Sequence, residues 1–238
     1  MNAHISLPHA PAAVTCRVVA IICIIATGLL LDRHFAWGQS AVNACVWLIF
    51  ITVLWRASQL ARIMLVACVV YSAAGEVFLA LVWELYDYRL GNLPLFVPPG
   101  HALLFMLGLA VAPHLSDRVT WAIPALAAPF IAVLWLAGVD TLGAPLFALL
   151  LLCMAFGSAR KLYAAMFMLA LIMEIYGTWL GNWTWNPEVR WLGLTTLNPP
   201  LAAGAFYCVL DLLVTYTTAA IARRRMIGAP RLATAGQP

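Results

Sequence analysis

The sequence predicts an all-α protein that crosses a membrane several times. Of its 238 residues, 65% are hydrophobic and only 9% are charged, whereas soluble domains carry about 25% charged residues. The apolar residues occur in runs of about 20, the length that a helix needs to cross the hydrocarbon core. Acidic residues nevertheless stand inside several runs, and an ionisable group at such a place is by default a candidate functional residue.

Eight apolar segments are candidate membrane spans. In order they cover residues 14–31, 38–55, 63–85, 98–113, 119–137, 142–158, 162–180 and 199–222. The fourth and sixth are short, and Pro124 and Pro129 interrupt the fifth, so seven spans is the alternative count. One transmembrane domain, residues 1–225, is followed by an Ala-, Gly- and Pro-rich tail at 226–238 that is predicted to be disordered.

The charge distribution predicts the orientation of the spans. Arg17 precedes the first apolar run, but no small-x-small cleavage site follows before Asp32, so this segment is predicted to be an uncleaved anchor. With the N-terminus inside, ten of thirteen basic residues lie in cytoplasmic segments and only Arg33, Arg89 and Arg190 lie outside. Because positive charge is retained inside, both termini are predicted to be cytoplasmic, in a bacterial inner membrane. The scattered basic residues do not indicate nucleic-acid binding.

Two external segments, residues 86–97 and 181–198, are long and rich in aromatic residues. Each follows a span that contains a glutamate, Glu76 or Glu174, and each ends at a Pro-Pro pair that opens the next helix, where proline is tolerated in the first turn. This recurrence favours a duplication of four-helix halves, with chance as the alternative in a chain with 14 prolines. The two halves are residues 14–113 and 119–222.

Four residues inside the predicted spans are candidates for catalysis: Glu76, His101, Glu174 and Asp211. The helical rise places all four in the outer half of the membrane, beneath the two aromatic segments. Asp211 continues a polar stripe with Tyr207 and Thr215 at helical spacing. Such a stripe should face protein or water rather than lipid.

Each candidate also has an ordinary structural explanation. A single intramembrane acid can hydrogen-bond across helices in its neutral form, and His101 can be a satisfied interfacial histidine. Aromatic residues collect at membrane interfaces for reasons unrelated to catalysis. Beside that alternative, the residues predicted to bind substrate are Trp83, Tyr86, Trp179, Trp183, Trp185 and Tyr207.

These residue types suit acid chemistry on an apolar substrate. A carboxyl group removed from water keeps its proton to higher pH and can act as a general acid. If it protonates a double bond of an isoprenoid chain, electron-rich rings stabilise the carbocation through cation–π attraction. A second carboxylate then removes a proton or activates water, which gives cyclisation, isomerisation or hydration.

The sequence predicts neither a cofactor nor a metal. It contains no Gly-rich phosphate loop and no dinucleotide fingerprint, and its five histidines are scattered. Its six cysteines form no Cys-x-x-Cys pair and all lie in apolar runs, which is typical of free core thiols.

The segment that begins at Glu174 resembles a known family. Glu174, Gly177 and Gly181 match a Glu-x-x-Gly-x-x-x-Gly signature, which Trp185 and a helix opened by Pro199-Pro200 follow. In these features the chain resembles the integral-membrane carotenoid hydratase-like proteins and, more loosely, the small polytopic terpene cyclases. The family's Phe-Gly-x-Tyr turn is replaced here by Asn-Trp-Thr-Trp. The resemblance implies an isoprenoid or carotenoid substrate, with Glu174 as the leading acid.

Two other classes of function remain open. A small secondary carrier would use Glu76, Glu174 and Asp211 to bind a proton or cation, although the chain is short and its polar stripe is confined to the outer half. A non-catalytic scaffold would use the aromatic segments to bind a partner protein. For the enzyme, the predicted partners are a lipid-soluble small molecule and membrane lipids.

Overall fold

The computed structural model describes residues 11–228, and it describes the side chains of residues 15–224. Eight α-helices lie within this range. They are α1 Pro11–His34, α2 Gly38–Arg56, α3 Gln59–Glu76, α4 Val97–Val111, α5 Asp117–Leu136, α6 Gly143–Phe156, α7 Arg160–Leu180 and α8 Gly204–Gly228. A π-helical turn, Val77–Val82, continues α3, and a 3-10 turn, Ala112–His114, continues α4.

Seven helical segments of the described range are long and apolar enough to cross a membrane. Helix α6 is also apolar but has only 14 residues. The prediction of an all-α protein with several membrane-spanning helices is therefore confirmed. Many large apolar side chains on the outer helices are exposed, such as Leu48 on α2 and Leu126 on α5, and this surface requires hydrocarbon rather than water around it.

Helices α3, α4, α7 and α8 form the core of the bundle, because each packs against two of the others. Helices α1 and α2 pack on α4, while α5 and α6 pack on α7. Close approach within the core depends on glycine, since a Cβ at Gly204 would lie 2.4 Å from the backbone oxygen of Phe167. The most buried spans are α4 and α7, and these two helices carry His101 and Glu174.

The helices differ from the sequence prediction at three places. Helix α5 runs unbroken through Pro124 and Pro129, because a membrane bundle can compensate the backbone bonds that proline removes. The third span changes to π-helical geometry directly after Glu76. Helix α8 begins at Gly204 and not at Pro199, since the Leu201 N–H donates to Asp140 and holds this stretch in a turn. The predicted disordered tail begins at residue 226, but α8 includes residues 226–228. The rest of the tail, residues 229–238, lies outside the described residues.

The two external segments pair with each other. Strand β1, Tyr86–Tyr88, is antiparallel to β2, Trp183–Trp185, with Tyr86 opposite Trp185 and Tyr88 opposite Trp183. A second short pair, β3 Glu188–Val189 and β4 Leu194–Thr195, follows within the second segment. We call the β1–β2 pair the aromatic ribbon. It covers the end of the core at which α3 and α7 finish and α4 and α8 begin.

Candidate functional site

Glu174 lies on α7 below the aromatic ribbon, where it is 6% exposed and accepts three hydrogen bonds. Its Oε2 atom accepts from the indole Nε1 atoms of Trp183, at 2.8 Å, and Trp185, at 3.0 Å. Its Oε1 atom accepts from the hydroxyl of Tyr207 on α8, at 3.1 Å. Two indoles of the ribbon thus hold one oxygen of the carboxyl group, and a phenol from the neighbouring helix holds the other.

Two glycines, one within α7 and one directly after it, make this geometry feasible. A Cβ at Gly177 would lie 2.0 Å from the Trp183 ring, so only glycine leaves room for the indole to reach Glu174. Gly181 has a φ of +77° and ends the helix in the left-handed conformation, which glycine adopts without strain. The contact that requires glycine at position 177 is thus with the strand that follows its own helix.

Glu76 is the last residue of α3 and is held in a parallel way. Its Oε2 atom accepts from the hydroxyls of Tyr86, at 2.9 Å, and Tyr88, at 2.7 Å. Its Oε1 atom lies 3.6 Å from Nε2 of His101 on α4. The carboxyl group is 6% exposed, so these three aromatic side chains form most of its surroundings.

The aromatic ribbon explains why four rings reach the two acids. Alternate residues of a strand point to the same face, so Tyr86, Tyr88, Trp183 and Trp185 project into the bundle while Asp87 and Thr184 are exposed. The rings of Tyr86 and Trp185 lie 4.9 Å apart across the ribbon. Burial raises the pKa of the Tyr86 and Tyr88 hydroxyls well above their usual range, and the Glu76 carboxyl raises it further, so both phenols remain donors.

His101 and Tyr207 lie between the two acids as a stacked pair. Their ring centroids are 4.9 Å apart and their planes differ by 6°. The Nδ1 atom of His101 is 3.0 Å from the carbonyl oxygen of Val97, and because a carbonyl only accepts, Nδ1 carries a hydrogen. The Nε2 atom is therefore the ring nitrogen that faces Glu76.

Two cavities adjoin this cluster of acids and rings. The first, of about 70 Å³, lies against α1, α2, α4 and α7. The second, of about 60 Å³, lies against α3, α7 and α8. Five residues line both cavities: Glu76, Tyr86, His101, Glu174 and Tyr207. We call these five the central cluster.

Polar side chains hold both ends of the aromatic ribbon. The side-chain amide of Asn182 donates to Oδ2 of Asp32, at 2.6 Å, and to the Leu29 carbonyl, at 3.0 Å. Arg89, just after β1, pairs with Oδ1 of Asp32 at 3.3 Å. At the other end, the backbone N–H of Trp185 donates to the Asn198 side chain at 2.9 Å. The ribbon is thereby tied to α1 and to the turn before α8.

Most of the sequence-predicted site residues come together in the structure. Glu76, His101 and Glu174 meet, and around them lie Tyr86, Trp183, Trp185 and Tyr207. The sequence prediction omitted Tyr88, which donates to Glu76. The signal that identifies Tyr88 is the alternation Tyr-Asp-Tyr, which is typical of a strand with one aromatic face.

Three predicted site residues lie elsewhere. Asp211 lines neither cavity, and within the described residues neither of its buried carboxyl oxygens has a hydrogen-bond partner. Trp179 is 77% exposed on the outer surface of α7. Trp83 donates to the carbonyl of Arg190, because the π-helical turn carries it to the rim. The prediction that the stripe through Asp211 faces protein rather than lipid is confirmed, because Tyr207, Asp211 and Thr218 are all buried.

Among the described residues, no group of three or more His, Cys, Asp or Glu side chains lies close enough to hold a metal ion. The six cysteines are free thiols. Only Cys68, Cys153 and Cys208 are buried, whereas Cys16, Cys23 and Cys45 are exposed on α1 and α2. The expectation that all six lie in the core was therefore wrong for these three, because α1 and α2 are outer helices.

Comparison of the chain with protein-family models, with curated proteins and with solved structures finds no match. The chemistry of the central cluster and of the two cavities is thus the basis for assigning a function.

Proposed function

We propose that this protein is an integral-membrane enzyme that isomerises, cyclises or hydrates an isoprenoid or carotenoid-like chain by acid–base chemistry. The observation that carries the proposal is the pair Glu76 and Glu174, two buried carboxyl groups that face the same cavities from opposite halves of the chain. Each is oriented by two aromatic donors on one oxygen. Paired acids fixed in an apolar pocket are what proton delivery and removal require.

The surroundings of the two acids favour different roles. Glu174 is surrounded by donors, and indole N–H groups cannot accept, so its oxygens are arranged to receive a proton. Glu76 instead has a second proton-carrying group beside it, since its Oε1 atom lies 3.6 Å from Nε2 of His101. We therefore assign proton donation to Glu76 with His101 and proton removal to Glu174. The family resemblance implied the acid role for Glu174, and this assignment transfers it to Glu76.

The reaction balances without a cofactor. A proton from the Glu76–His101 pair adds to one carbon of a double bond, and the neighbouring carbon becomes a cation that the ribbon's rings stabilise. Glu174 then removes a proton from an adjacent carbon, which forms the new double bond. If a second double bond attacks the cation first, a ring results. If water attacks, Glu174 removes the proton of the water and an alcohol results.

The test is solvent deuterium uptake. The purified protein, in lipid nanodiscs in D₂O, is incubated separately with lycopene and with geranylgeraniol, and the lipids are examined by mass spectrometry. The expected product has incorporated one deuterium at carbon and has either the substrate's elemental composition or that of its hydrate. Glu76→Gln should abolish the uptake. No product and no deuterium in recovered substrate, for either compound, would contradict the proposal.

A proton-coupled carrier is the second candidate because of Asp211. It lies one helical turn beyond Tyr207 on α8, fully buried and with both carboxyl oxygens unpaired among the described residues. The hydroxyl of Tyr163 is also buried, beside Thr215 of α8. These groups extend the polar residues beyond the central cluster. Proton uptake into liposomes that stops with Asp211→Asn, in the absence of any lipid conversion, would favour the carrier over the enzyme.

Eight crossings, with both termini in the cytoplasm of a bacterium, complete the proposal. Helix α6 begins at the same end of the bundle as the aromatic ribbon, where the backbone N–H of Leu142 donates to the carbonyl of Thr195 at 3.0 Å. It ends beside the start of α7, where the guanidinium Nε of Arg160 donates to the carbonyl of Met154 at 2.8 Å. These contacts support a full crossing by α6. Basic residues collect at the end opposite the ribbon, which the positive-inside rule assigns to the cytoplasm; reporter fusions at the C-terminus test this.

A duplication of residues 14–113 and 119–222 is part of the proposal. Each half supplies a buried glutamate, a strand with aromatic residues at alternate positions, and a following helix that contributes one ring of the His101–Tyr207 stack. The two helix pairs α3–α4 and α7–α8 pack against each other in the core. These correspondences support descent from one four-helix unit.

A further inference from the structure

The two cavities lie on different sides of the central cluster. Apart from the shared residues, the first is lined by α1 and α2 residues such as Ile24 and Val46. The second is lined by α3 and α8 residues such as Leu79 and Leu210. A molecule that reached from one cavity to the other would therefore pass along the central cluster, which lines both cavities.

Both cavities are apolar outside the central cluster. The polar groups of the second cavity are already paired, since Tyr71 bonds to Thr217 and Ser72 donates to the Pro98 carbonyl. Neither cavity is lined by lysine or arginine. A diphosphate or another anionic head group would find no cationic partner there, and burying it unpaired would be costly. The lining fits an uncharged hydrocarbon.

Glycines keep each cavity open. A Cβ placed at Gly75, in the second cavity, would meet nothing within 4 Å, and the same holds for Gly100, in the first. Neither glycine has a positive φ, so no backbone strain requires it. The space beside each glycine is room that larger residues would fill.

The outer lining of both cavities is accessible from the side of the bundle. Ile24 and Ile25 in the first cavity, and Leu79, Phe206 and Leu210 in the second, are half-buried. All five are apolar residues of membrane-spanning segments. Openings with such edges admit a lipid-soluble chain from the bilayer rather than a solute from water.

We propose that one linear, uncharged polyisoprenoid hydrocarbon occupies both cavities at once, with an internal double bond against the central cluster and one end of the chain in each cavity or in the lipid beyond. This inference rests on the proposed function and deepens it, because it selects long hydrocarbons over prenyl diphosphates and over substrates that enter by one end only. The apolar cavities bind the two arms of the chain, and the central cluster meets the reacting bond.

The test is photo-cross-linking with two probes. The long probe is a lycopene analogue that carries a diazirine at each end, and the short probe is a farnesol analogue that carries one. The wild-type protein in nanodiscs is irradiated, and the adducts are mapped by mass spectrometry. Single molecules of the long probe should cross-link to α1 or α2 with one end and to α3 or α8 with the other.

Two substitutions fill the cavities separately. Gly100→Leu in the first cavity and Gly75→Leu in the second should each lower the yield of two-sided adducts about tenfold, since overpacking of this kind costs a factor of ten or more. The short probe should lose adducts only in the cavity that is filled. Gly75→Ala and Gly100→Ala, which add a single carbon where nothing lies within 4 Å, control for folding. Leu126→Phe, on the exposed surface of α5, controls for non-specific labelling.

The outcomes separate this inference from the proposed function. Two-sided adducts that persist in Glu76→Gln and Glu174→Gln, while turnover is lost, support both. A second outcome is turnover that depends on both acids, together with long-probe adducts that are confined to one side or are unaffected by the leucine variants. That outcome overturns the two-cavity inference but still supports the proposed enzyme activity. If two-sided adducts form but no substrate is converted, the proposed enzyme activity is overturned, whereas binding of the chain in both cavities is supported.

Discussion

The two acids of the central cluster have the same framework and different partners. On each, one carboxyl oxygen accepts from two aromatic donors of the ribbon, phenols at Glu76 and indoles at Glu174. A phenol can both donate and accept, whereas an indole only donates. The other oxygen faces an imidazole in one case and a phenol in the other. One fold thus gives two carboxyl groups with different capacities to exchange a proton.

The two halves also reach this geometry by different backbone routes. Tyr86 and Tyr88 follow Glu76 by 10 and 12 residues, while Trp183 and Trp185 follow Glu174 by 9 and 11. The first half therefore has one residue more, and the π-helical turn Val77–Val82 absorbs it, since a π-bulge accommodates a single inserted residue. The second half keeps a regular helix and relies on Gly177 for space. The donors therefore take the same position beside both acids, although the helix geometry before them differs.

The largest expected effect separates the acids by role. Glu76→Gln and Glu174→Gln should each lower product formation by about a hundred- to ten-thousand-fold, the usual contribution of a general acid or base. In D₂O, Glu174→Gln should still exchange deuterium into recovered substrate, because Glu76 can protonate and deprotonate the same carbon. Glu76→Gln should not. Mass spectrometry of recovered substrate measures both, and exchange retained only in Glu76→Gln would reverse the assignment.

The backbone comparison is tested at two glycines. Gly177→Ala places a Cβ 2.0 Å from the Trp183 ring, so it should destabilise the protein by about 1–3 kcal/mol and remove most activity. Gly75→Ala, in the other half, meets nothing within 4 Å and should stabilise its helix by about 0.5–1 kcal/mol. Thermal unfolding in the same detergent compares the two. Equal stability of both variants would contradict the packing role of Gly177.

Removing single donors tests whether the partners set the roles. Trp185→Phe and Tyr88→Phe each delete one hydrogen bond to a carboxyl oxygen, worth about 1.5–3 kcal/mol if that group is charged. Tyr88→Phe should slow deuterium exchange, and Trp185→Phe should slow product formation while exchange continues. Trp179→Phe, at an exposed site, should change neither. If the Tyr88 and Trp185 variants slow both steps equally, phenol and indole are interchangeable here.

The smallest effect is expected at Asp211. Because it lines neither cavity, Asp211→Asn should leave turnover within about twofold. It should also leave stability unchanged or improved, since a buried carboxyl group without partners is costly. Steady-state turnover and thermal unfolding measure the two expectations. A large loss of turnover would place Asp211 in the reaction and extend the site along α8.

Several residues of the site were predictable from sequence because of their chemistry alone. Glu76, His101 and Glu174 stand out since ionisable groups inside apolar spans need partners. The same reasoning selected Asp211, which the structure leaves apart from the cluster. Helical spacing shows which face a residue occupies, but it does not show which neighbour packs on that face. The exposure of Trp179 was not predictable from sequence either, since an aromatic residue near the end of a span suits either a pocket or the lipid interface.

The sequence by itself determined the class of protein, because apolar runs of bilayer length have no stable folded alternative in water. It also determined the chemical types of the site, namely carboxyl groups and aromatic rings. Only the tertiary structure decided which of them meet. The aromatic ribbon joins Tyr86 to Trp185 and Tyr88 to Trp183 across two distant segments, and pairing over such a separation depends on the packing of α3, α4, α7 and α8. Local sequence patterns contain no information about that packing, so the site exists only once the core has assembled.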